Sequence, residues 1–195
     1  MLIDRYLPTF DETHIIELSV AAPPDAAYAA ILETDLRDPM IDLLFSLREL
    51  PLRLTRRLRG EPPPAPRTKK RVTFGDMAQA GPIWVKLAEV PGEELVIGSV
   101  GKFWRKDYGG RQVTPEEFLT FREPGYARLA LGFCVRPAGT GAIVRYEART
   151  ATTDEQARRT FRRYWRIIAP GVAIVMRRAL RRIKAEAERQ VLVPV

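Results

Sequence analysis

The sequence predicts an α+β fold in which one long C-terminal helix lies over a single antiparallel sheet. Three observations carry this. Residues Thr152 to Arg189 have helical spacing, the apolar period switches to two from Ile83 onward, and a strand with two short helices precedes that switch.

Thr13 to Val20 reads as the first strand, with His14, Ile16, Leu18 and Val20 on one face and Ile15, Glu17 and Ser19 on the other. Pro23 and Pro24 end it. Asp25 opens a helix through Tyr28 and Ile31, its acid placed where the helix dipole favours negative charge. Asp38-Pro39 breaks that helix. A second one is expected over about residues 39–50, through Met40, Ile41, Leu43, Leu44 and Leu47.

Residues 51–71 hold five prolines and eight basic residues. This basic, Pro-rich stretch is expected to be a solvated loop and not a boundary, because neither side alone supplies a layered core. The chain is accordingly expected to be one domain over residues 1–195.

Ile83, Val85 and Leu87 alternate with polar or small neighbours. Pro91-Gly92-Glu93 then turns the chain into a returning strand, Leu95 to Gly101. Phe118 to Phe121 reads as a short strand. Tyr126 to Arg136 and Ala142 to Thr150 form the last pair. In the final strand Val144, Tyr146 and Ala148 oppose Arg145, Glu147 and Arg149, which predicts a sheet with one wet face and a charge ladder on it.

The closing helix has dense signals. Thr152 with Glu155, or Thr153 with Gln156, has capping-box spacing. Nine apolar residues, from Ala157 and Phe161 through Tyr164, Trp165, Ile168, Val172 and Val175 to Ala179 and Ile183, fall within an arc of about 120°. Arginines occupy the opposite side. Pro170-Gly171 interrupts the run, and the continuous phase of the stripe favours one kinked helix over two. Ile167 and Ile174 point away from the stripe among arginines, and intramolecular cover is expected for them.

Charge is segregated. Residues 1–50 carry ten acids and three basic residues; residues 51–195 carry fourteen acids and twenty-nine basic ones, within a total of +8. A basic body attracts anions. No base-reading motif accompanies it, so nucleic acid is not expected as a partner, while peripheral contact with an anionic membrane remains open, as does the choice between monomer and homodimer. Cys134 is the sole cysteine and His14 the sole histidine. No intrachain disulfide or zinc site can form from them, no cofactor is expected, and a reducing cytoplasm fits. The opening MLIDRYLPTFDET has an early acid and no apolar h-region, against a signal peptide.

The run Leu18-Ser19-Val20-Ala21-Ala22-Pro23-Pro24-Asp25-Ala26-Ala27-Tyr28, then Gly101-Lys102-Phe103-Trp104, then Phe161 to Gly171 with Tyr164-Trp165 and Pro170-Gly171, resembles the SRPBCC superfamily of START-like and polyketide cyclase-like proteins. The resemblance covers nearly the whole chain and is similar to an uncharacterised bacterial subgroup. It implies the helix-grip fold, a single curved antiparallel sheet wrapped around a long kinked C-terminal helix, with an apolar cavity between them.

The function expected is non-enzymatic binding of a small hydrophobic or amphipathic ligand in that cavity. Phe103, Trp104, Phe118, Phe133, Tyr146, Phe161, Trp165 and Ile168 are its expected lining. The alternative is a cyclase-like or hydrolase-like enzyme using the same cavity, for which Tyr146, Tyr164, Arg105 and Lys102 are the scattered polar candidates.

Overall fold

The computed structural model describes residues 1–37, 71–79, 83–105 and 107–192. The helix expected near 39–50 and the loop expected over 51–71, apart from Arg71, lie outside the described residues. The chain divides into two compact units, Met1–Thr34 with Thr73–Val195, and Asp35–Val72. In the second unit, the Leu36 N–H donates to the Val72 carbonyl at 2.9 Å. The Arg37 guanidinium, 2.6 Å from Asp35, holds that carboxyl down to about 2.

The larger unit is built on five antiparallel strands: β1 (Glu12–Val20), β2 (Val85–Val90), β3 (Glu94–Gly101), β4 (Ala127–Ala138) and β5 (Gly141–Thr152). Their order in the sheet is β1-β5-β4-β3-β2. The β2–β3 turn has the chemistry its sequence predicts: Pro91 leads, Gly92 takes φ 84°, and the Glu93 N–H donates to the Val90 carbonyl at 3.0 Å. β4 and β5 pair along twelve residues each, from Ala127 opposite Thr152 to Ala138 opposite Gly141.

Among the described residues five helices accompany the sheet: α1 (Leu2–Tyr6), α2 (Pro24–Glu33), α3 (Phe74–Ala78), α4 (Pro115–Thr120) and α5 (Glu155–Leu192). α5 is a single helix of 38 residues with Pro170 inside it, so the two-helix alternative does not hold. Element order and sheet topology are those of a helix-grip fold.

The strand expected at Phe118 to Phe121 is instead α4. Thr114 and Glu117 form a capping box, each side chain bonded to the other's backbone N–H, with Pro115 in the first turn. Those paired caps outweigh the strand preference of the four-residue run Phe118-Leu119-Thr120-Phe121. The start of α5 is also corrected. Asp154 is the group that caps it: its carboxylate accepts from the Ala157 N–H at 2.8 Å and from the Gly125 N–H. Thr153 faces backward, its hydroxyl accepting from the Tyr126 N–H at 3.0 Å.

The two sheet faces differ. On one face α1 and α4 pack through Ile3, Tyr6, Leu7 and Phe118 onto Leu87, Val96, Val100 and Ala130. Gly132 permits this approach, since a Cβ there would sit 3.2 Å from Ile3. This face was expected to be wet. It is covered: Glu147 is 2% and Arg149 8% exposed, and Arg149 bonds Glu147 at 2.7 Å and the Leu7 carbonyl at 3.0 Å. The charge ladder is a closed network because the N-terminal helix lies over it. The opposite face carries Phe133 and Tyr146 and is covered by α2, α3 and α5.

Ile167 and Ile174 were expected to be covered. They are 80% and 47% exposed, because the middle of α5 turns that side outward.

Asp154 yields a pH prediction. Its bonds from Ala157 and then Gly125 hold its carboxyl below the ordinary value of 3.8. A depressed folded-state pKa means the stabilisation is complete above the unfolded value and is lost as pH falls through the folded one. We therefore expect Asp154→Ala to cost about 1–2 kcal/mol at neutral pH. Chemical denaturation across pH should show a shallower decline below about pH 4 for the variant than for the parent protein.

Candidate functional site

The candidate site is the inner face of the sheet beneath α5. Strand register aligns its side chains in rows: Leu95, Phe133, Tyr146 and Ile16 form one row across four strands, and Ser99, Leu129 and Thr150 form another. The first row is closed at Leu95, Phe133 and Tyr146, while Ile16 is partly buried. Phe74 packs on Phe133 at 4.4 Å between centroids, Phe133 on Tyr146 at 5.4 Å, and both Phe133 and Tyr146 are fully buried. Burial pushes the Tyr146 phenol pKa upward, so this hydroxyl stays protonated.

α5 is fixed at both ends. The Asp154 cap ties its start to the turn before β4. Near its other end the Glu188 carboxylate accepts from the Ala21 N–H at 2.7 Å, and Lys184 donates to the Ser19 carbonyl at 2.5 Å. Burial follows the same division. Ala157 and Phe161 at one end, and Met176, Ala179, Leu180 and Ile183 at the other, are buried. Between them Tyr164, Trp165, Ile168, Val172 and Val175 are only partly buried, although they continue the apolar stripe. On the sheet, His14, Ile16, Leu129 and Ala148 are partly buried too. The partly buried residues of this central region are thus apolar on the helix and, apart from His14, apolar on the sheet.

Aromatic rings gather at its edge. Trp104, in the turn after β3, meets Phe161 edge-on at 6.3 Å; Trp165 stacks on Phe161 at 5.8 Å and Tyr164 lies 6.3 Å from it. Phe103 is partly buried in the same turn, and Ile168 follows Tyr164 by one helical turn. Of the expected lining, Trp104, Phe161 and Trp165 are thus brought together, whereas Phe133 and Tyr146 are packed into closed core with Phe74. Phe118 is not brought to this site. It lies on the other sheet face, against the Gly98 position and α1.

Two polar groups on the inner face were not in the expected lining. Ser99 is 1% exposed and its hydroxyl has no hydrogen-bond partner among the described residues; the same holds for the buried His14 Nε2. Burial, and then the positive charge of Arg177, lowers the His14 pKa, which leaves a neutral imidazole at neutral pH. A signal for Ser99 existed: it is a polar residue at an inward position of the Leu95-Ile97-Ser99 alternation. Phe74 had none, since it sits on a five-residue helix too short for a periodic reading.

The polar candidates of the enzymatic alternative have separate engagements. Lys102 Nζ lies 4.3 Å above the Tyr126 ring, and Arg105 pairs with Asp107 at 3.0 Å in the solvent. Among the described residues no group of three His, Cys, Asp or Glu side chains could hold a metal ion. A separate open depression of about 450 Å³, lined by Arg111, Val113, Glu117 and Phe121 among others, lies beside α4; its Arg111 pairs with Glu123 at 2.9 Å.

The architecture defines the chain as a helix-grip protein, the class that the SRPBCC resemblance implied. No family model matches the chain, and no curated protein matches it by sequence. Solved structures similar to it include protein MLL2253 from Mesorhizobium loti, 13% identical over 91% of this chain and 98% of that one, with a TM-score of 0.44. Protein CV1439 from Chromobacterium violaceum is 14% identical over 90% and 97%, with a TM-score of 0.41. The di-domain ARO/CYC StfQ from the steffimycin biosynthetic pathway is 15% identical over 93% of this chain and 52% of that one, with a TM-score of 0.37.

The different burial of two stacked rings leads to a contrast in stability. Phe161→Ala should cost roughly 3–5 kcal/mol, as core aromatic truncations do. Trp165→Ala should cost clearly less, about 1–2 kcal/mol, because part of its surface already lacks protein contact. Equilibrium denaturation of the two variants measures the difference, and equal losses would place Trp165 in closed core.

Proposed function

We propose that the protein binds a small apolar or amphipathic molecule between the inner sheet face and the middle of α5. One observation carries this reading: the centre of an otherwise continuous apolar stripe, at Ile168 and Val172, is partly exposed while both ends of the same stripe are buried. Apolar surface left open on both walls of one space is stabilised by an apolar occupant. Ser99 supports an amphipathic ligand, since its buried hydroxyl offers one hydrogen bond in an apolar setting. Trp104 and Trp165 would flank the ligand, giving area together with indole N–H groups. Cys134 is a buried free thiol whose pKa burial raises, in keeping with a cytoplasmic protein.

Titration with dansyl-undecanoic acid tests the proposal. Energy transfer from Trp104 and Trp165 to the dansyl group should rise and saturate. Ile168→Arg, which places a charge in the ligand space, should weaken binding about tenfold or more while the protein still melts cooperatively. Parental affinity in Ile168→Arg would contradict the proposed location.

A further inference from the structure

The outward side of α5 concentrates positive charge. Between Gln156 and Ala185 the sequence has ten basic residues and no acid. At 100° per residue, Arg163, Arg166, Ile167, Ile174, Arg177 and Arg181 share the side opposite the apolar stripe, and all six are exposed. They span about 27 Å of helix. Ile167, 80% exposed, and Ile174, 47% exposed, are one above the other along this strip, with arginines before and after them.

We propose that this strip docks the protein on the surface of a bilayer bearing anionic headgroups. The charge selects an anionic partner, and the two isoleucines select among anionic partners. A nucleic-acid backbone meets arginines but has no apolar layer for Ile167 and Ile174. A second copy of the chain in a two-fold contact would set arginine strip against arginine strip. A bilayer interface supplies both requirements at different depths: phosphates outside, hydrocarbon just beneath. Arginine suits that gradient, because its stem lies in the apolar layer while the guanidinium stays with the phosphates. The helix lies flat on such a surface. No described helix is long and apolar enough to cross it. The docking side is the back of the same helix whose front faces the proposed ligand space, so the two inferences rest on different residues and can fail separately.

Vesicle co-sedimentation decides the matter. The protein should pellet with phosphatidylcholine vesicles containing about 30% phosphatidylglycerol, and not with phosphatidylcholine alone. Pelleting should fall steeply between about 0.05 M and 0.5 M salt. The Ile167→Ser/Ile174→Ser double variant, with unchanged charge, should partition roughly tenfold less strongly. The Arg163→Gln/Arg166→Gln variant should fall by a similar factor. All four positions are exposed, so thermal melts should match the parent. An environment-sensitive nitrobenzoxadiazole label on Ile174→Cys, made selective by the burial of Cys134, should shift to the blue on the anionic vesicles only. Equal pelleting with neutral vesicles overturns the proposal. So does a double isoleucine variant that partitions like the parent. Binding to duplex DNA without vesicle binding overturns it in favour of a polyanion site, and binding to neither leaves a solvated helix face in its place.

Discussion

Side-chain alternation along β5 is the constraint on which the rest of the structure depends. Val144, Tyr146 and Ala148 project to one side, Arg145, Glu147 and Arg149 to the other, and the twelve-residue ladder with β4 holds this register. A slip of one residue would bury the arginines under α5 and present Tyr146 to α1. With the register held, each face takes a different kind of cover. The outer face needs counter-charges and carbonyls, and α1 brings them: the Leu7 carbonyl accepts from Arg149, and Asp4 pairs with it at 2.8 Å. The inner face is mostly apolar, with Ser99 and His14 among its polar exceptions. α2, α3 and the two ends of α5 cover it, and the residues at the middle of α5 are only partly buried.

The charge segregation of the chain acquires a structural meaning from the same ladder. Acids of the N-terminal segment meet basic residues of the C-terminal body: Asp4 with Arg149, Glu17 with Arg145 at 2.9 Å, and Asp11 with Arg158 at 2.6 Å. Asp11 is partly buried. Burial alone would raise its carboxyl, but the Thr152 hydroxyl and N–H, together with Arg158, bring it below its ordinary value. The acidic opening of the sequence therefore closes the edge and outer face of the sheet. The outward arginines of α5 lie beyond these pairings, which is why that strip keeps its positive character.

Most of the sheet was legible because period-two alternation leaves a mark in each strand, and Pro91-Gly92 marks the turn between β2 and β3. The long helix was legible from its stripe. Its start was not, since Thr152, Thr153 and Asp154 are all competent caps in sequence and only the position of Gly125 selects Asp154. α4 was misread because four residues from Phe118 to Phe121 suit a strand as well as a helix; the Thr114–Glu117 capping box was the better signal. α1 and α3, at five residues each, are too short to show a period. The burial of Glu147 depends on α1 folding over it, a contact between residues more than 140 positions apart. In the candidate site, Trp104, Phe161 and Trp165 were readable as large aromatics near the central strand and the stripe. Phe118 was misplaced with its secondary structure, since a residue assigned to a strand is assigned a face as well.

The proposed ligand would complete the inner face of this sheet under the middle of α5. Native mass spectrometry, on the purified protein and after incubation with a mixture of fatty acids and polycyclic aromatics, tests it most directly. The account predicts a population heavier than the bare chain by the mass of one small apolar compound, released on denaturation and recovered in organic extract. Spectra that show only the bare chain, before and after incubation, would contradict it.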